Sequence, residues 1–188
     1  MASLLVLAPA AARPEGASVA GQLLVAAPSL RDPSFSRTVV FMLRHDQAGA
    51  MGLVINRPLG EMPLAALLAQ AGLGGAGAAG TVRMHFGGPV ERGRLFVLHT
   101  GDYAASDTLR VGGLAVTAQV EILQAIAGGR GPRRAVLALG CAGWSPGQLE
   151  AEMEAGHWII ASPDEAIVFD DALATKWDRA MARRRTTL

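Results

Sequence analysis

Apolar and β-branched residues cluster in three short runs: LLVAA (Leu23–Ala27), TVVFMLRH (Thr38–His45) and RAVLALG (Arg134–Gly140). Runs of this length bounded by turn formers predict buried strands. PSLRDPSFSR separates the first two, and Pro28 and Pro33 deny that stretch ladder hydrogen bonds. The seven-residue stretch DQAGAMG turns the second strand back into LVIN, which predicts a hairpin ended by Arg57-Pro58. VRMHF and GRLFVLHT flank the turn GGPVER and predict a second hairpin; TLRVGGLAVT predicts a further short pair, and HWIIA one more strand.

Between these runs the apolar spacing changes to that of helices. Pro63 in a first turn, then Leu64, Leu67, Leu68 and Ala71, predicts a helix stopped by Gly72, with GLGGAGAAG as a linker after it. Thr117 is placed to cap a helix that carries Val120, Leu123, Ile126 and Ala127 inward to Gly128-Gly129. After Gly140 comes the most fully specified helix start. Ser145 stands at the N-cap, Pro146 at the first position and Gln148 where it completes a capping box, while Trp144 and Leu149 form a hydrophobic staple. Gly156 ends that helix, Ser162-Pro163-Asp164-Glu165 repeats the capping arrangement for a short one, and a last helix runs from about Ala172 to Arg183 with Trp177 and Met181 on one side. Hairpins and helices intermix without regular βαβ alternation, so the pattern predicts an α+β fold with a mixed sheet.

A length of 188 residues suits one domain, and 51% hydrophobic with 18% charged residues is the composition of a globular chain. The expected organisation is a disordered N-terminal tail over 1–20, a single domain over 21–182 and a basic C-terminal tail over 183–188. SLLVLAPAAARP within the first tail has the apolar-then-small texture of a signal peptide, but it lacks a basic leading region and a long apolar core. No apolar run reaches the roughly 18 residues of a membrane span, so no membrane partner is expected. A net charge of +1 gives no field to draw nucleic acid. Arg183-Arg184-Arg185 alone is a weak footprint, and no DNA- or RNA-binding motif stands out, so direct nucleic-acid binding is not expected. Lys176 is the only lysine among scattered arginines. A single cysteine excludes an internal disulfide and fits a reducing, cytoplasmic location.

Candidate chemistry is thin. Cys141 sits on a strand-to-helix turn where a nucleophile could be displayed, with His45 or His99 as its base. Gly140-Cys141-Ala142-Gly143 does not carry the glycine spacing of a nucleophile elbow, however, and the helix-start signals explain the stretch as a packing joint. His45, Asp46 and His99 at strand ends would form an acid–base or metal site if those ends converged; without a close ligand spacing, no metal site is expected. Gly75, Gly77 and Gly80 read formally as G-x-G-x-x-G, but a helix precedes them and a strand follows, the reverse of a phosphate fingerprint, so no cofactor is expected. Gly87 and Gly88, before Pro89, could present amides to an anion or simply make a turn. Asn56-Arg57 ends a strand with a guanidinium that would meet a carboxylate ligand or a nearby acid.

LRDPSFSRTVVFMLRHDQAGAMGLVINRP, then GGPV, GRLFVLHT and LGCAGWSPGQLEAEMEAGHW, resemble in order the motifs of the bacterial YqgE/AlgH family, over about Gly21 to Trp177. The resemblance implies a single α+β domain with coiled, partly split mixed β-sheets and packed helices. It implies no particular activity, although one branch has been labelled a transcriptional regulator. Many members carry an aromatic where Cys141 stands, so no shared thiol mechanism is implied. The leading expectation is therefore a non-catalytic domain binding a small ligand or a protein partner, with Arg31, Asp32, His45, Asn56, Arg57, Gly87, Gly88, His99 and Trp144 around one groove. A thiol- and histidine-dependent hydrolase or transferase using Cys141 is the alternative, and a transcriptional regulator the third. The oligomeric state stays open.

Overall fold

The computed structural model describes residues 18–185. The expectations for residues 1–17 and 186–188 lie outside them. Strand β1 (Leu23–Ala26) is buried on both sides: Leu23 and Val25 enter one apolar cluster, Leu24 and Ala26 another. β2 (Val39–Asp46) alternates the same way, Val39, Phe41 and Leu43 against Val40 and Met42. Two buried faces explain why these strands read as unbroken apolar runs. The hairpin to β3 (Gly49–Val54) closes through Gln47-Ala48 alone, with a register shift between Met42 and Arg44. The turn is shorter than expected because the ladder extends through Asp46↔Gly49.

β4 (Pro58–Pro63) has no apolar alternation to announce it, and the sequence pattern missed it. It lies exposed, antiparallel to β5 (Thr81–Phe86), with a proline at each end, which a sheet edge tolerates. Pro63 is consequently extended (ψ 134°) and precedes helix α1 (Leu64–Gln70) instead of opening its first turn.

The expected second hairpin is overturned. β5 and β6 (Val90–Thr100) do not pair with each other but flank β9 (Ala135–Trp144) on its two edges. Leu137 is registered with Met84 in a parallel ladder on one edge and with Val97 in an antiparallel ladder on the other. Beyond Gly140 the same strand pairs with β3 through Ala142–Trp144. β9 therefore joins two halves of one curled sheet, ordered β10-β1-β2-β3-β9-β6-β8-β7, with β4 and β5 branching from β9. β7 (Leu109–Val111) and β8 (Leu114–Thr117) form the expected short pair, and β10 (Trp158–Ala161) lies antiparallel to β1. β5–β9 is the one parallel ladder among the described strands.

Three apolar layers follow. The curled sheet encloses one cluster, with Phe41, Leu53, Leu98 and Val116 fully or nearly fully buried, and Trp177 of helix α5 (Leu173–Ala182) closes it. Helix α3 (Gln148–Glu154) covers the outer face of β1–β3 through Leu149. α1 and α2 (Glu121–Ala127) cover the face bearing Met84, Val97 and Leu137.

Helix starts depart from expectation because other groups satisfy the orphan amides. Thr117 does not cap α2: it is buried in β8, and the Asp107 carboxylate accepts from the amides of Ala118 and Gln119 (2.9 and 2.8 Å). The buried face of α2 is accordingly Ile122 and Leu123, with Ala127 exposed. α3 begins three residues after Ser145, behind Gly147 at φ +76°; half of the capping box survives, Gln148 Oε1 accepting from Ser145 N–H. Asp164, not Ser162, caps helix α4 (Glu165–Phe169) by accepting from Ala166 N–H. Arg183–Arg185, expected to open a basic tail, lie along β10: Arg184 bridges Ala161, Arg185 N–H donates to Ile160, and Arg183 pairs with Asp164. Ser18 and Val19, expected in the N-terminal tail, hydrogen-bond to His45.

Candidate functional site

The expected groove residues do not line one groove. Arg57 donates to the carbonyls of Pro33 and Ser36, both at 2.9 Å, and Asn56 bonds Val39 N–H and the Arg37 carbonyl. Asp32 accepts from Ser34 N–H in an Asx turn, and Arg31 is exposed on the same loop. Arg57, Asn56 and Asp32 thus hold the loop that carries Arg31 through bonds to its backbone. Trp144 packs nearby, against Phe35 and Trp158, and its indole N–H and that of Trp158 both donate to Glu152. His45 reaches α3. Val19 N–H donates to its Nδ1 (3.2 Å), which leaves Nε2 to donate to Glu150 at 3.0 Å.

His99 belongs to a different layer. Its ring is buried, bonded to the Thr100 carbonyl and the Thr117 hydroxyl, and set edge-on against Tyr103. Burial lowers its pKa, so both nitrogens are satisfied by a neutral imidazole. Cys141 faces the enclosed cluster, 4% exposed, whereas His45 is on the α3 side and His99 on the strand face that also carries Val97. Sheet alternation thus separates the thiol from both bases. Burial also pushes the Cys141 thiol pKa up, with Glu91 adding to the shift. A neutral alkylating agent at pH 7.5 should therefore label Cys141 at least about 100-fold more slowly in the native protein than in urea. Native labelling within a few-fold of the urea rate would restore the nucleophile.

Gly87 and Gly88 serve the β5–β9 joint: Gly87 N–H donates to Leu139, and Gly87 accepts from Val54 N–H. Gly87 thus spends its amide and carbonyl on protein partners, and Gly88 lies in close approach to the Cys141–Ala142 backbone.

A different constellation gathers beside β9. Thr81, Arg83 and His85 are alternate residues of β5 and share one face. Phe169, Asp170 and Asp171, at the junction of α4 and α5, stand across from them, with Ile126 and Pro132 at the rim. Together they bound a cleft of about 300 Å³. His85 is 6% exposed, and its Nδ1 lies 3.3 Å from the Leu137 carbonyl. A carbonyl only accepts, so Nδ1 carries the proton and Nε2 is a bare acceptor with no protein partner among the described residues. Burial lowers the His85 pKa, and the positive charges of Lys176 and Arg83 push the same way. At neutral pH this imidazole accepts a hydrogen bond better than it removes a proton.

Arg83 bridges Glu61 at 2.8 Å and Asp171 at 2.5 Å. Behind the cleft, fully buried Lys176 donates to the carbonyls of Val168 (2.8 Å) and Asp170 (3.1 Å) and lies 3.6 Å from the Asp170 carboxylate, which also pairs with Arg179. In the sequence His85 is one residue of the VRMHF strand and Lys176 the lone lysine, and neither is marked as part of a site. The usable signals were the polar alternation Thr81-x-Arg83-x-His85 in a strand, the lone lysine and the paired acids Asp170-Asp171. Among the described residues, no three His, Cys, Asp or Glu side chains are grouped to hold a metal ion, and no helix is long and apolar enough to cross a membrane.

Fold and cleft together define a single-domain α+β protein whose curled sheet turns about one shared strand. The AlgH-like family model, DUF179, matches residues 23–188. A UPF0301 protein of Methylocella silvestris is 45% identical over 177 residues, spanning 89% of this chain and 86% of its own length. One from Cereibacter sphaeroides is 45% identical over 161 residues, spanning 85% and 88%. The solution structure of the AlgH protein from Pseudomonas aeruginosa matches with a TM-score of 0.77 at 37% identity over 92% of each chain. A Corynebacterium diphtheriae crystal structure (TM-score 0.69, 20% identity, 88% and 87% covered) shares the fold. The chain belongs to the AlgH-like, UPF0301 family, as its motifs suggested.

Proposed function

We propose that this chain is a non-catalytic, small-ligand-binding domain of the cytoplasm, and that its site is the cleft between β5 and the α4–α5 junction. One observation carries the reading: His85 is 6% exposed with its Nδ1 bonded to the Leu137 carbonyl, while its Nε2 has no protein partner among the described residues and is open to solvent in a cleft lined by both polar and apolar side chains. Ligand pockets fix their occupants through a few such polar atoms set among apolar side chains. A volume of about 300 Å³ is at the small end for such sites and suits a compact molecule. Behind the cleft, Lys176 and Arg179 both pair with the one Asp170 carboxylate, which holds the α4–α5 junction in place.

The test is a fragment screen read by amide and imidazole chemical shifts. Binders should shift Arg83, His85, Leu137 and Phe169–Asp171 together, and a folded His85→Phe variant should lose those shifts. Binders that gather at any other surface, or shifts that persist unchanged in the variant, would remove the cleft as the site.

A further inference from the structure

Residues 101–108 join β6 to β7. None of them is buried and four are exposed, yet Tyr103 among them sets its edge against the fully buried His99 ring, 5.6 Å between centroids. We propose that the His99 ring and two threonine hydroxyls form an acid-sensitive latch on this segment, closed while the imidazole is neutral and loosened when it takes a proton.

Hydrogen-bond polarity fixes every proton in the chain. The Thr100 carbonyl only accepts, so His99 Nδ1 carries the proton that reaches it at 2.8 Å, and the neutral ring's Nε2 accepts. The Thr117 hydroxyl therefore spends its one proton on Nε2, at 3.0 Å. The contact between Thr108 and Thr117 (2.7 Å) then needs Thr108 as its donor, and Thr108 Oγ1 in turn accepts from Ala105 N–H (2.7 Å). One end of the chain lies in the core and the other in the loop. A proton on Nε2 reverses the order: Nε2 donates to Thr117, Thr117 donates to Thr108, and the Thr108 hydroxyl proton loses its acceptor among the described residues.

The surroundings do not welcome the added charge. Burial holds the His99 pKa below the ordinary imidazole value; the Thr100 carbonyl and the Asp102 carboxylate pull it the other way, and Arg110 adds to the lowering. Asp102 is already engaged by the Thr100 hydroxyl (2.5 Å) and Arg133 N–H (3.0 Å), and Arg110 donates to the Gly101 carbonyl. Asp107 is committed to the amides of Ala118 and Gln119. β8 and α1 carry no ionisable side chain, and Glu121 of α2 and Arg134 before β9 are exposed. Lifting Tyr103 and its neighbours admits water and returns the ring to ordinary imidazole behaviour. That opening takes up a proton below about pH 6.5, so it is favoured as pH falls, until the closed ring is itself charged. Carboxylates titrate near pH 4, below this window, and the Thr100 hydroxyl holds Asp102 lower still.

Amide hydrogen exchange of the full chain, corrected for intrinsic rates, tests the latch. The Ala105 and Thr108 amides should be less protected than that of Leu98 in β6, and should lose protection several-fold, to a ceiling of about eightfold, between pH 7 and 5.5. Loop amides as protected as Leu98 would mean that the segment opens only with the whole fold, and would overturn the proposal. His99→Gln offers Thr117 an acceptor but cannot titrate, so its loop protection should be flat across the range whatever its level. A slope that survives in this variant, or a flat parent, would equally overturn it. If the variant does not fold, the parent decides through the ring nitrogen shifts of His99. At pH 7.5 these must show Nδ1 protonated and Nε2 bare, and the loss of loop protection must level off where they titrate; failure of either sinks the latch.

Discussion

Gly88→Ala is expected to lower the unfolding free energy by about 4 kcal/mol or more, enough to leave a marginal protein largely unfolded at 37 °C. A methyl group there would lie 2.1 Å from the Cys141 carbonyl carbon and 2.3 Å from Ala142 N, and the position already holds φ +152°. Carbon atoms in contact sit about 3.5–4.0 Å apart, and these neighbours are backbone atoms that cannot rotate aside. Gly87 is equally confined, its Cβ position 2.1 Å from Gly140 O. Relief requires β9 to back away from β5 and β3, which strains the bonds Gly87 N–H to Leu139 and Val54 N–H to Gly87. Overpacking of about 1–3 kcal/mol then adds to about 1 kcal/mol for each weakened bond. Gly93→Ala is the control, since its Cβ would meet nothing within 4 Å and its φ is not in the left-handed region. Urea unfolding followed by circular dichroism should place the Gly93 variant within about 0.5 kcal/mol of the parent. Equal midpoints for the two variants would show that this joint has slack the geometry denies.

The same joint marks where sequence reasoning stopped. GGPVER is short, glycine-rich and set between two apolar strands, and by local rules it is a hairpin turn. What local rules cannot register is a third strand: β9 enters from some fifty residues downstream and takes one edge of β5 and one of β6. β1, β2 and the β7–β8 pair were legible because their signals, an apolar run or a double-glycine turn, are contained within the element. Helix existence was legible and helix starts were not. Asp107 satisfies the amides before α2 from across a loop, so the threonine next to the helix had no capping role to fill. The candidate site was illegible for the same reason. His85 becomes distinctive only when the Leu137 carbonyl fixes its tautomer and the α4–α5 junction, more than eighty residues away, closes over it. The strand-end histidines attracted attention in sequence because turns often display function, yet here both are tied to protein partners.

Stability should rise with pH between about 8 and 10.5, and Lys176→Met should abolish that rise. The Lys176 ammonium is fully buried, and burial pulls its pKa from the ordinary 10.5 down to about 8 despite the attraction of Asp170. Across that window the unfolded chain holds a proton that the folded chain has released, so unfolding takes up a proton and is disfavoured as pH increases. Below pH 8 both states carry the charge, and the full cost of burying it stands, about 3 kcal/mol at 1.36 kcal/mol per pH unit. Methionine has the length to fill the same space but carries no charge. At pH 7 it relieves that cost and in exchange strands the Val168 and Asp170 carbonyls, each worth about 1–3 kcal/mol, so the two proteins should be of similar stability. At pH 10 the parent keeps both hydrogen bonds through a neutral amine and should be the more stable by up to about 3 kcal/mol. The buried Cys141 thiol works in the opposite sense, because its raised pKa lets the unfolded state ionise first, but it is present in both proteins and cancels in their difference. Lys176→Ala should be worse than either at every pH, since it adds a cavity beside Val168. Urea midpoints measured from pH 7 to 10 decide the matter: parallel curves for parent and Lys176→Met would mean that the lone lysine is not desolvated, and that the floor of the cleft is open to water.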